Sequence, residues 1–186
     1  IIQGGSIHGD RCVRVDWNTD SYFRSPETTI GQVEAGTIHG WVRLADIAGT
    51  SGRTIISKDA AGHSPSQLSI HIADDGPYGA GIRVDVAGTA TAFNDNNSVE
   101  GWVPRLHWAH LALTWDSGVV RFYINGRQHW TTGTFGAFSW TGGRWNIGYG
   151  RAFAGNGDYS SWRVCNVARS AAYIDEVYRR AVGRYP

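Results

Sequence analysis

Leu111, Leu113 and Trp115 alternate with Ala112 and Thr114; after Asp116-Ser117-Gly118 the chain alternates again, with Val120, Phe122 and Ile124 set against Arg121, Tyr123 and Asn125. A period of two sends successive side chains to opposite faces of an extended backbone, so both runs predict half-buried β-strands. Asn125-Gly126 favours the positive φ angles of a type I′ turn, and Arg127, Gln128 and His129 are expected to pair back as the next strand. The same pattern predicts strands near Arg11–Trp17, Thr37–Leu44, Arg53–Lys58, Gln67–Ile72, Gly81–Val86, Thr89–Phe93, His107–Trp115, Val119–Asn125, Arg127–Thr131, Arg144–Tyr149 and Tyr159–Val167. Many short strands at close spacing predict a sandwich or barrel. One stretch breaks the pattern. Ser170 offers a helix-capping hydroxyl, and Ile174, Val177, Tyr178 and Ala181 fall at i, i+3, i+4 and i+7, the apolar stripe of a short structural helix packed on a sheet edge or face.

Three stretches carry a family resemblance. WAHLALTWDSGVVRFYINGRQ, from Trp108 to Gln128, resembles the laminin G-like or concanavalin A-like jelly-roll superfamily, in which Trp-x-His-Leu/Val-Ala leads through a short turn to a strand ending Tyr-Ile/Val-Asn/Asp-Gly. WRVCNVARSAAYI, from Trp162 to Ile174, is similar to the run and short helix that close many such domains, and GWVRL at Gly40 with TIISK at Thr54 is a third match in the family's order. The resemblance implies a two-sheet antiparallel jelly-roll sandwich with a short C-terminal helix. Function is less constrained, because this scaffold hosts lectins, adhesion modules, hydrolases and virion proteins.

Composition narrows the class. The chain has 186 residues, enough for one sizeable core, and residues 1–186 are expected to form a single domain. No apolar run approaches the ~18 residues of a membrane span, and no signal peptide, low-complexity tract or internal repeat is visible. A formal net charge of +1 with dispersed arginines gives no reason to expect nucleic acid or an anionic membrane as partner. Lys58 is the only lysine, methionine is absent, and the chain starts at Ile1, which suggests a processed product or a piece of a longer polypeptide.

The sequence argues against catalysis. Glycoside hydrolases resembling the laminarinase group carry a Glu-x-Asp-x-x-Glu strand that holds two acids roughly 5 Å apart. Here the glutamates are Glu27, Glu34, Glu100 and Glu176, and no two have that spacing. His107 and His110 lie three apart on a strand, hence on opposite faces, and read as structural rather than as a shared metal site. There is no Gly-x-Ser-x-Gly elbow, Cys-x-x-Cys or phosphate-binding glycine loop. The expectation is a protein that is not an enzyme.

Binding chemistry has candidates in the loops. ADDGPYG at Ala73–Gly79 and FNDNNS at Phe93–Ser98 set short oxygen-bearing side chains beside an aromatic. Asp75, Tyr78 and Asn96, with Trp102 as a stacking platform, are the candidate ligand-binding residues. Turn chemistry is the simpler account of the same Asp, Asn and Gly in either loop taken alone, and a lid over the core is the simpler account of Trp102. Where the resemblance places a structural calcium, near the first and last strands, Asp158 with Asp16 or Asp20 is the candidate ligand set. First and last strands are usually neighbours in the family, so the resemblance also implies a bridge between Cys12 and Cys165, whose parity agrees; two unpaired small hydrophobes are the alternative. A bridge would imply an oxidising compartment.

The leading expectation is a non-catalytic module that recognises a glycan or glycosylated surface, with calcium as a candidate cofactor, at an extracellular, cell-surface or virion location. The alternative is a structural, decoration or adhesion module of a larger extracellular or virion assembly, working through contacts with neighbouring protein subunits.

Overall fold

The alternating runs become paired strands in a computed structural model that describes residues 4–7, 10–15, 23–25, 35–45, 53–59, 66–76, 79–86, 102–131, 143–148, 153–154 and 157–185. In chain order the strands are β1 (Gly4–Ile7), β2 (Asp10–Val15), β3 (Phe23–Arg24), β4 (Ala35–Leu44), β5 (Arg53–Asp59), β6 (Ser66–Gly76), β7 (Gly79–Val86), β8 (Trp102–Val103), β9 (Trp108–Asp116), β10 (Val119–Ile124), β11 (Arg127–Thr131), β12 (Trp145–Ile147), β13 (Phe153–Ala154) and β14 (Gly157–Cys165). Helix α1 (Ala171–Ala181) follows and ends in a single 3₁₀ turn, Val182–Arg184. The strand expected at Thr89–Phe93 lies outside the described residues.

Two sheets form the sandwich. The larger has the order β1-β2-β14-β4-β9-β10-β11 and the smaller β3-β12-β5-β6-β7-β8. Pairing is antiparallel apart from a short parallel contact of β13 with β5. Both tight hairpins use positive φ at their two central residues, Ser117 (48°) with Gly118 (79°) and Asn125 (49°) with Gly126 (80°), the geometry that matches strand twist. Asn125 also stitches the hairpin, since its Oδ1 accepts from the His110 backbone N–H at 2.9 Å and its own N–H donates to the His110 carbonyl at 2.8 Å.

The period of two determines the core. Ile38, Val42 and Leu44 of β4, Leu111, Leu113 and Trp115 of β9, and Val120, Phe122 and Ile124 of β10 face inward. They meet Ile55 and Ile56 of β5, Leu68, Ile70 and Ile72 of β6, and Ile82 and Val84 of β7. Two glycines on the inner face of β4 make room for indoles: a Cβ on Gly36 would stand 2.1 Å from the Trp115 ring, and one on Gly40 would stand 2.3 Å from the Trp162 ring. Lys58 is fully buried, with its Nζ 5.9 Å from the Trp145 ring centroid.

The register corrects the cysteine expectation. β2 and β14 are neighbours as expected, but Ser160 is the residue opposite Cys12, and Cys165 stands opposite Thr37 of β4. At ~3.3 Å per residue along β14, Cys165 lies more than ~10 Å from that row, beyond the ~7 Å a disulfide spans. Cys165 is a free thiol whose Sγ is 3.6 Å from the Val167 carbonyl. Parity along two strands carries no information about their register.

Candidate functional site

At one corner of the smaller sheet the backbone gathers part of the expected ligand set. Asp74 stands opposite Gly81, which stands opposite Trp102; in the adjacent row Asp75 stands opposite Ala80, which stands opposite Val103. Trp102 and Asp75 thus come to the same corner, although Asp74 shares the row of Trp102. A register shift between Ile72 and Asp74 produces this offset, and no residue type in the sequence marks it. Trp102 belongs to a two-residue strand that stops at Pro104, where a loop was expected. Tyr78 and Asn96 lie outside the described residues.

A second locus forms on the outer face of the larger sheet, beneath α1. Alternate residues His39 and Trp41 of β4, Trp108 and His110 of β9, and Tyr123 of β10 are buried there although they point away from the inter-sheet core. The segment leading to the helix is pinned by Thr37, whose hydroxyl donates to the Val167 carbonyl at 2.7 Å and accepts from the Arg169 N–H at 2.8 Å. Ser170 caps α1 as expected, its side chain accepting from the Tyr173 N–H at 3.2 Å. Ile174 then packs on Ala112 and Tyr123, and Tyr185 stacks on Trp41 with centroids 4.2 Å apart and planes 17° apart. The expected structural helix therefore covers a sheet face.

The two histidines under the helix form a pair. His110 Nε2 lies 3.3 Å from His39 Nδ1, and His110 Nδ1 is buried with no hydrogen-bond partner. An orphaned N–H costs more than an orphaned lone pair, so we assign the proton of His110 to Nε2, donating to His39 Nδ1 and leaving the N–H of His39 on its Nε2. Both rings are uncharged at neutral pH. Burial, then the charges of Arg163 and Arg169, lowers the pKa of His39 to about 4; burial, then His39 itself, lowers that of His110 to about 3. His39 is the residue sequence reasoning missed, and its only signal was its odd parity beside Thr37 and Trp41. His107, read as structural, is exposed in the turn before β9.

An open cleft of about 170 Å³ adjoins this pair, lined from the sheet by His39, Trp41, Ser161 and Arg163 and from the helix side by Val177, Ala181, Arg184 and Tyr185. A bulge in β14 builds its sheet wall: the register slips between Ser160 and Arg163, and Ser161 takes a left-handed φ of 53°. The extra residue lets Tyr159 and Trp162 both face the core while Ser160, Ser161 and Arg163 face outward. The Tyr185 hydroxyl lies 3.0 Å from both Ser160 Oγ and Ser161 Oγ, tying the chain's last turn to the bulge. Among the described residues no carboxylate lines the cleft.

Asp158, the candidate calcium ligand, is nearly buried and stands between two arginines in the sheet register, Arg14 on β2 and Arg43 on β4. Arg43 Nε donates to its Oδ2 at 2.9 Å and a second guanidinium nitrogen donates to the same oxygen. Asp158 is thus engaged as an ion-pair partner through Oδ2, while Asp16 and Asp20, the other members of the candidate calcium set, lie outside the described residues. Among the described residues no group of three or more His, Cys, Asp or Glu side chains is placed to hold a metal ion. Nor is any described helix long and apolar enough to cross a membrane.

Comparison with known proteins agrees with this architecture. A family model described as Concanavalin A-like lectin/glucanases superfamily matches residues 18–175. No curated protein matches the chain. Among solved structures, domain 4 of an extracellular GH43 arabinanase from Geobacillus stearothermophilus, in complex with arabinotriose, is similar at TM-score 0.67 and 18% identity, covering 95% of this chain and 80% of that one. A heptameric SAP-like pentraxin from Limulus polyphemus gives 0.64 and 16%, covering 84% and 75%. The receptor binding domain of botulinum neurotoxin type G gives 0.61 and 13%, covering 96% of this chain and 44% of that one. At these identities the likeness is one of fold.

Proposed function

Because the chain belongs to the concanavalin A-like lectin/glucanase superfamily, we propose that it is a non-catalytic module recognising a glycan or glycosylated surface outside the cell. The observation that carries this reading is the register of β6, β7 and β8, which puts Asp74 and Trp102 in one row across Gly81, with Asp75 in the row beside it. An indole stacks on the apolar face of a sugar while carboxylates accept from its hydroxyls, so the pairing suits a neutral saccharide. The arabinanase domain, a fold neighbour crystallised with an arabinose oligomer, supports a saccharide partner for this sandwich.

A non-catalytic role is supported by the arginine partners of three acids, Asp158, Asp175 and Glu176. Asp158 is bonded by Arg43, while Asp175 and Glu176 pair with Arg179 and Arg180 one helical turn away. The test is a glycan array run with and without calcium, beside a sizing measurement. Binding is expected to weaken in Trp102→Ala by about 1–3 kcal/mol with the thermal midpoint nearly unchanged. A variant that loses stability instead of affinity would make Trp102 a packing residue. Absence of any glycan signal together with a defined oligomer would favour the assembly role.

A further inference from the structure

We propose that the cleft between the β14 bulge and the C-terminal helix is a second binding site, one for a carboxylate, carried by an acidic sugar of the uronic acid type. The choice of a sugar as carrier rests on the glycan-binding reading above; the carboxylate chemistry does not. Arg163 and Arg184 face the cleft from opposite walls, and both are exposed at their outer ends. Arg163 has no carboxylate partner among the described residues. It stands directly across from His39 in the register, so its guanidinium emerges beside the imidazole on the outer face. A planar guanidinium matches a carboxylate through two parallel N–H bonds, which makes this the group the wall is shaped to receive.

A second observation points the same way. His39, only 7% exposed, lines the cleft; its Nδ1 is taken by His110, and no hydrogen-bond partner for its Nε2 is found among the described residues. By the tautomer assignment this nitrogen carries the proton. That nitrogen is not among the buried polar atoms left without a partner, so it reaches solvent through the cleft, and an acceptor seated there would take its hydrogen bond in place of water. The lining carries two guanidiniums and an imidazole N–H, and among the described residues it has no carboxylate to repel an anion. Ser161 holds the left-handed backbone that non-glycine residues seldom adopt, which is the kind of local strain that clusters at ligand sites. A volume of about 170 Å³ falls below the range of drug-sized pockets and suits one sugar ring or less.

The test is a titration at pH 7 with sodium glucuronate, glucose and acetate in parallel, followed by NMR of the His39 imidazole and the Trp41 indole. Glucuronate is expected to give saturable shifts at both rings, and glucose none. Arg163→Ala, a change at an exposed side chain, is expected to weaken glucuronate binding by roughly tenfold or more, the loss of one charge-assisted contact, without moving the thermal midpoint; Arg184→Ala should act in the same direction. Absence of glucuronate binding, equal binding of glucose, or affinity unchanged in both variants would overturn the proposal. Acetate matching glucuronate would sustain the carboxylate site and remove the sugar as its carrier. Neutral-glycan binding lost in Trp102→Ala reports on the other corner of the molecule, so the two readings fail separately.

Discussion

Two imidazoles packed with centroids 5.4 Å apart beneath a helix give the domain a pH dependence whose sign can be worked out. The folded pKa values, about 4 for His39 and about 3 for His110, lie below the unfolded value of 6.5. Between these limits the unfolded chain binds more protons than the folded one, so stability is full above pH 6.5 and is lost as the pH falls toward the folded values. At pH 5 the loss amounts to about 2 kcal/mol per ring. Urea unfolding at pH 7 and pH 5 should show it, and His110→Phe should keep about half of the dependence. Gly40 tests packing at the same scale. Gly40→Ala drives a methyl into the Trp162 ring and should cost about 1–3 kcal/mol, read as a fall in the thermal midpoint. Inward residues such as Leu111 and Trp115 were legible in the sequence because alternation alone assigns their face. His39 was not, because nothing in Thr-Ile-His-Gly-Trp says what will cover the opposite face.

At the level of elements, the bulge in β14 decides what the cleft contains. Counting parity through a straight strand from Tyr159 would send Trp162 outward and Arg163 into the core; one extra residue reverses both. Ser160-Ser161 reads the same in a straight strand as in a bulged one, so the feature left no mark in the sequence. The conformation of Ser161 is testable. Ser161→Gly relieves a left-handed backbone and loses the hydroxyl near Tyr185, two effects of about 1 kcal/mol that oppose each other, so its midpoint should stay close to the parent's. Ser161→Val keeps the strain, adds a β-branch and loses the hydroxyl, and should lower stability by about 2 kcal/mol. The hairpins show the reverse case. Asn125-Gly126 announces its turn, and that turn in turn fits closely under α1, where a Cβ on Gly126 would come within 3.1 Å of the Asp175 Cα.

Across the whole molecule, the family resemblance anticipated the jelly roll and the adjacency of β2 and β14, but adjacency and register carry different information. A slip of a few residues leaves the sheet order intact while separating Cys12 from Cys165, and hydrophobic alternation is blind to a slip by an even number. The candidate pair Asp75 and Trp102 falls in neighbouring rows rather than one, an offset set by a register shift that alternation does not reveal; the cleft under α1 was not legible either, since it depends on a helix, a bulge and a strand meeting from distant parts of the chain. Lys58 has a consequence of its own at this scale. As the sole lysine, and one with no exposed surface, it leaves the folded domain with no ε-amine for acylating reagents to reach. Amine-directed coupling to a sensor chip or a dye should therefore spare this side chain, and mass spectrometry should find Lys58 acylated only in proportion to the time the chain spends open. One residue thus serves as a built-in chemical clock for unfolding, to be read in peptide maps at increasing urea; rapid modification of Lys58 in native buffer would contradict its burial.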